Sequence, residues 1–208
     1  IPSSSGMLAV ELRDGLVIGR GIPYATAGRF EVPIAIDTPG VERDATQAGP
    51  ICPQNRLRFE FVIGAPDGDP EQGENCLVLS VTAPADARDL PVMVWFHGGA
   101  YLAGSGESPK FEADDLAREG VVVVRVTYRL GVFGYLPPEG VGESNLGLLD
   151  QIEALRWVAN NIAGFGGDPN SVTAFGQSAG ADSVLCLLAC EESRELIHRA
   201  IVQSPPMG

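Results

Sequence analysis

Gly176-Gln177-Ser178-Ala179-Gly180 is the stretch of this sequence whose residue types and spacing bear most directly on chemistry. A serine with glycine two positions away on each side can sit on a sharp strand-to-helix turn, its hydroxyl projecting clear of a sheet. The helix that follows directs its N-terminus at the serine, so its free N–H groups and dipole favour a negative oxygen there. The chemistry would be attack of Ser178 Oγ on an acyl carbon. Small residues around a serine are also common in plain turns, so context decides. Here a β-branched run, Ser171 to Phe175, precedes the pentapeptide, and an apolar helical run to about Ala189 follows it.

A second element, Trp95-Phe96-His97-Gly98-Gly99-Ala100-Tyr101, closes another strand-like run some 80 residues earlier. A glycine-rich loop lets successive backbone N–H groups converge on one point, as the developing oxyanion of acyl transfer requires. Taken alone it reads as a simple Gly-Gly turn. Paired with the serine turn, it reads as the complementary half of one site.

The elements that must position these two loops follow from periodicity. Residues 7 to 18 give two short strands around Arg13-Asp14-Gly15, since Asp-Gly is a hairpin signal. Residues 28 to 75 are rich in Pro, Gly and Asp and read mostly as loop. Leu77 to Thr82, Pro91 to Phe96 and Arg199 to Gln203 are strand-like, and Val121 to Tyr128 is a nearly continuous β-branched run expected of a strand covered on both faces. Leu148, Ile152, Leu155, Val158 and Ile162 recur at intervals of three and four, predicting an amphipathic helix over residues 145–162. Strands alternating with helices predict an α/β fold, with a mainly parallel sheet and helices on both faces.

Composition narrows the function classes. The 208 residues are 45% hydrophobic and 20% charged, a globular balance with no repeat or low-complexity segment. The net charge of −13 argues against a nucleic-acid partner, which needs clustered cations. The apolar runs are far too short to span a bilayer. Nothing calls for a metal or cofactor. Cys186 and Cys190 share a helix face and are expected as buried thiols. Cys52 and Cys76 flank a loop-like stretch; spacing leaves their pairing open, and a bridge would contribute about 3 kcal/mol.

The two loops and the text between them resemble the type-B carboxylesterase family, which includes cholinesterases and bacterial esterases. The resemblance runs through Gly21-Ile22-Pro23-Tyr24-Ala25, Cys52-Pro53-Gln54, Glu74-Asn75-Cys76-Leu77, Tyr128-Arg129-Leu130-Gly131, the segment Asn145 to Gln151 and Phe165-Gly166-Gly167-Asp168-Pro169. It implies an α/β-hydrolase fold of which residues 1–208 form the N-terminal part of one catalytic domain. By position, Ser178 matches the nucleophile, and the N–H groups of Gly99, Ala100 and Ala179 match three oxyanion donors. Ala100 stands where a third glycine is commoner. Cys52 with Cys76 matches a disulfide, which would favour a secreted or periplasmic setting over a cytoplasmic one. Arg29 with Glu74, and Arg129 with Asp150, match buried structural ion pairs.

Two departures bear on substrate. Gln177 stands where cholinesterases carry Glu, and no Trp lies between Cys52 and Cys76 to stack a choline cation. Choline esters are therefore not the expected substrates. The last residues, Arg199 to Pro206, look most like bacterial members acting on esters and carbamates, so the resemblance implies a small-molecule ester or carbamate. Phe59 and Phe61 are candidates to line an acyl or alcohol pocket, with simple packing an equal alternative. A serine esterase also needs an acid and a histidine base. Of the two histidines, His97 precedes the oxyanion loop at a position that is not the family's base. His198 begins a strand whose far end lies beside Ser178, about 15–20 Å away at ~3.3 Å per residue. Both missing groups are thus expected in a C-terminal portion of the enzyme, which would also cover the sheet edge left at residues 199–203. Ser204, at the near end of that strand, is the better neighbour for Ser178. The rival expectations are a non-catalytic binding or adhesion relative, and an inert fragment of the same fold.

Overall fold

The structure, a computed structural model, describes residues 1–55 and 71–206. Phe59 and Phe61 lie outside the described residues. Its centre is a sheet of seven strands: β1 (Glu11–Arg13), β2 (Leu16–Pro23), β3 (Val78–Pro84), β4 (Leu90–Phe96), β5 (Val122–Val126), β6 (Gly167–Gln177) and β7 (Arg199–Gln203). Across the sheet they run in the order β7-β6-β4-β5-β3-β2-β1. The β1–β2 hairpin turns at Asp14 and Gly15, both in the left-handed region (φ 50 and 78), as a two-residue turn demands.

The sheet is less parallel than the sequence suggests. β4, β5, β6 and β7 pair in parallel, whereas β3 pairs antiparallel with β5 and β2, and β1 antiparallel with β2. The parallel half is the half with helical crossovers. The rest is built from direct reversals, which need none. A three-stranded satellite sheet, in which Met7–Ala9 pairs parallel with Glu42–Asp44, interrupts the stretch read as loop.

Helices cover both faces: α1 (Asp114–Arg118), α2 (Gly131–Gly134), α3 (Leu146–Asn161) and α4 (Ala179–Ala189). Alternation along β5 divides the core. Val122, Val124 and Val126 meet Ile152, Leu155 and Val158 of α3 and Val184 and Leu187 of α4, while Val123 faces Leu16, Ile18 and Ala117 on the other side. The expected helix over residues 145–162 is thus α3 with a 3-10 turn appended at Ile162–Phe165. Asn145 opens it in the left-handed conformation (φ 58), which Asn tolerates better than most residues.

At the β7 edge apolar cover is thin. Ile201 of β7 is 43% exposed, and Leu185 and Leu188 of α4 are exposed as well. Cys186 is exposed and Cys190 half-buried, so the expectation of two buried thiols is corrected. Cys186 lies on the exposed side of α4, whereas Cys190, just past the end of the helix, packs partly against the core that Val184 and Leu187 fill.

Candidate functional site

Ser178 sits between the end of β6 and the start of α4, at φ 56 and ψ −123. That is a conformation L-residues adopt only where the surroundings impose it. Three contacts impose it here. The Ser178 N–H donates to Gln203 O of β7 at 2.9 Å, and Asp182 N–H of α4 donates back to Ser178 O at 3.0 Å. Gly180 lies against β4 so closely that a Cβ there would fall 2.0 Å from Phe96 O. The turn is therefore clamped by a strand on either side and by its own helix. Ser204 follows Gln203 directly, is exposed, and also has positive φ (50). It comes next in the chain after the carbonyl that holds Ser178.

The loop after β4 approaches the same turn. A Cβ on Gly98 would lie 2.7 Å from Gln177 O and 3.3 Å from Ser178 Cβ, so only glycine lets the two backbones touch. Gly99, Ala100 and Tyr101 follow with φ of 124, 56 and 60. Among the described residues, no carbonyl or side chain accepts the N–H of Gly99, Ala100 or Ala179. Gly99 and Ala100 follow directly on the Gly98 contact, and Ala179 follows Ser178 itself. Tyr101 ties the loop to α4, its hydroxyl donating to Asp182 Oδ2 at 2.6 Å, and burial together with that bond pushes the phenol up.

His97 takes no part in this arrangement as a base. It is fully buried, stacked on Tyr128 with ring centroids 4.4 Å apart, and its Nδ1 lies 2.8 Å from Gly98 O. Burial pulls its pKa down to about 4, so the ring is neutral near pH 7. Tyr128 OH donates to His97 O at 2.6 Å, which fixes the start of the loop. His198 stands beside Val172, whose N–H it accepts at Nδ1 (3.2 Å), halfway along β6 and about 20 Å of extended strand from Ser178 at ~3.3 Å per residue. The distance argument made from the sequence is thereby borne out.

The four ion-pair residues pair as expected, but in two different settings. Arg129 and Asp150 are buried. Asp150 Oδ2 accepts Arg129 N at 3.1 Å and Nε at 2.8 Å, and Oδ1 accepts Nη2 at 2.6 Å. This fork locks the end of the chain leaving β5 to α3. Arg29 and Glu74 make a similar fork at the surface, with side chains 60% and 38% exposed, and Arg29 also lies over the Phe133 ring. The expectation that this pair is buried is corrected.

Cys52 and Cys76 are free thiols in the structure, without the disulfide that the resemblance implies. They are buried and adjacent. Cys52 Sγ accepts the N–H of Leu130 at 3.2 Å, and the hydrogen bond between the two sulfurs, with burial, pushes the Cys76 thiol up.

Sequence reasoning missed a buried polar cluster beneath the loop. Glu107 accepts Ser80 Oγ at 2.7 Å, Gly49 N–H at 3.1 Å and Gly21 N–H at 3.2 Å, joining β2, β3 and two loops. Burial pushes its carboxyl up. Arg125, also buried, attracts it from within the valine run of β5 and donates to Ser108 O at 3.2 Å. Among the described residues no cluster of His, Cys, Asp and Glu could hold a metal ion, and no helix is long and apolar enough to cross a membrane.

Comparison with known proteins gives this geometry its context. The sequence pattern described as "Carboxylesterase family" matches residues 15–207. The chain belongs to this family. It is 46% identical to the Probable N-octanoylanthranilate hydrolase AqdA2 of Rhodococcus erythropolis, covering 100% of this chain and 46% of that protein. It is 44% identical to the phenmedipham hydrolase of Pseudarthrobacter oxydans, over 99% of this chain and 43% of the relative. Among solved structures it is similar to a thermophilic PNB esterase, with TM-score 0.89 and 38% identity over 98% of this chain and 44% of the other. The seven strands and their helices are therefore an α/β-hydrolase sheet, incomplete as expected. The chain spans less than half the length of the curated relatives it matches.

Proposed function

We propose that this carboxylesterase-family chain carries the nucleophile and oxyanion half of a serine carboxylic-ester hydrolase. The observation that supports the reading is the clamped, positive-φ turn at Ser178, packed against a loop with unused N–H groups. Ser178 Oγ attacks the acyl carbon of a small-molecule ester or carbamate, and the N–H groups of Gly99, Ala100 and Ala179 receive the oxyanion. Donors set in advance at the developing charge stabilise the transition state by about 3 kcal/mol each. The serine proton passes to a histidine and then to the leaving alcohol, and water releases the acyl group by the reverse sequence. Because neither His97 nor His198 faces Ser178, that histidine and its acid come from a portion of the enzyme outside this chain. The enzyme is expected to need no cofactor or metal.

The test uses the full-length protein with a fluorophosphonate probe and p-nitrophenyl esters. The expected result is a single adduct at Ser178, with hydrolysis abolished in Ser178→Ala. Hydrolysis that survives Ser178→Ala would overturn the assignment of the nucleophile, and a protein that neither labels nor turns over would favour the adhesion-type reading.

A further inference from the structure

We propose that Gln54 is a positioning residue for the oxyanion loop, holding the base of the loop through a side-chain amide that substitutes for a neighbouring strand. The inference rests on the reading of Gly99 and Ala100 as oxyanion donors. Gln54 belongs to the segment after Cys52, far from the loop in sequence and half-buried beside it. Its Oε1 accepts the N–H of Gly104 at 2.7 Å, and its Nε2 donates to Gly104 O at 3.0 Å. One amide thus satisfies both backbone groups of one residue. The second Nε2 hydrogen donates to Cys52 O at 3.0 Å, which fixes the plane of the amide.

Gly104 matters because of what it touches. A Cβ there would fall 2.4 Å from His97 Nδ1 and 2.6 Å from Gly98 O. Across the loop, the N–H groups of Leu102 and Ala103 donate to Gly99 O at 3.0 and 3.1 Å. Residues 98–104 therefore form a closed ring whose outgoing limb backs onto its incoming limb, and Gln54 grips the outgoing one. The ring needs gripping. Ala100 and Tyr101 both have positive φ, a conformation that persists in residues other than glycine only where the surroundings over-determine it. The tip is held by Tyr101, through its hydroxyl to Asp182 and its carbonyl, which accepts Gly131 N–H at 2.6 Å. Of these holds, Gln54 is the one at the base, nearest Gly98 and Gly99.

Gln54→Leu and Gln54→Glu in the full-length protein test this. With a p-nitrophenyl ester, Gln54→Leu is expected to lower kcat at least tenfold, towards the ~100-fold that a 1 Å misplacement costs. KM should stay within about twofold of wild type, and Ki for a trifluoromethyl ketone should rise as kcat/KM falls. Gln54→Glu supplies a rescue that a merely structural role would not give. Its protonated carboxyl reproduces the donor and acceptor pair, whereas its carboxylate faces the Gly104 carbonyl. Its kcat relative to wild type should therefore recover as pH falls from 8 to 5, and this holds even if Gln54→Leu does not fold. Amide exchange at Leu102, Ala103 and Gly104 reads the same ring without turnover, and should accelerate in Gln54→Leu and, at pH 8, in Gln54→Glu. A wild-type protein without activity would sink the esterase reading while exchange still decides the role of Gln54. Wild-type kcat in Gln54→Leu, a pH-independent ratio for Gln54→Glu, or unchanged exchange would overturn the proposal.

Discussion

Replacing Asp150 with asparagine removes one charge and leaves the Arg129 guanidinium buried without its partner. The carboxylate accepts three hydrogen bonds from Arg129, two on Oδ2 and one on Oδ1. An asparagine offers one oxygen and sets an NH2 against a remaining donor. Breaking a buried pair from one side costs about 3–5 kcal/mol, against a total stability of about 5–15 kcal/mol. Glu74→Gln disrupts a fork of similar shape at the surface, where both side chains are well exposed. Water screens that pair, so its loss should barely move the midpoint. Urea unfolding of the full-length protein, comparing midpoints at constant m-value, separates the two. The double substitution Arg129→Met with Asp150→Leu should lie much nearer wild type than Asp150→Asn, since it removes both charges together. Equal losses for Asp150→Asn and Glu74→Gln would refute the argument that burial, and not pairing geometry, sets the energetics.

Three further outcomes are expected. His97 titrates at about 4 when folded and 6.5 when unfolded, so the unfolded state takes up its proton first and stability falls as pH drops through that window; at 1.36 kcal/mol per unit this is about 3 kcal/mol. Thermal unfolding from pH 7 to 4 should show that excess loss in wild type over His97→Gln, and parallel curves would contradict it. Gly180→Ala, whose Cβ would fall 2.0 Å from Phe96 O, should push the Ser178 turn off β4 and cut kcat about 100-fold or prevent folding, as read by ester turnover and circular dichroism. Ala100→Gly should leave kcat within about twofold, because the donor is main chain, and shift stability by less than ~1 kcal/mol, relief of positive φ being offset by a freer unfolded chain; a tenfold loss of kcat would show that the alanine side chain matters.

Most of the parallel half of the sheet was legible in sequence because its signals are local. The valines of β5, the three-and-four spacing in α3 and the glycines around Ser178 each act within a few residues. What stayed hidden depends on partners far along the chain. Glu107 lies in Gly-Glu-Ser-Pro, which reads as surface loop, yet its acceptors are filled from Ser80, Gly49 and Gly21. Arg125 sits inside a valine run with no local hint of the carboxylate below it. The pairing of Met7–Ala9 with Glu42–Asp44 crosses some thirty residues and has no turn signature. Arg29 and Arg129 looked equivalent, because the exposure of a pair is set by what packs over it. The free thiols at Cys52 and Cys76 show the same limit from the other side: resemblance located the two sulfurs together but did not fix the bond between them.

The hydrogen bond from Ser178 N–H to Gln203 O ties the Ser178 turn to a strand synthesised about 25 residues after it. At a translation rate of ~5–20 residues per second, the serine leaves the ribosome's active site about 1–5 s before the carbonyl that restrains it has been made. Throughout that interval the segment around Ser178 has no β7 to lie against, and its strained backbone is free to relax. The shape of this turn is an event of assembly, timed by the order in which the strands are made.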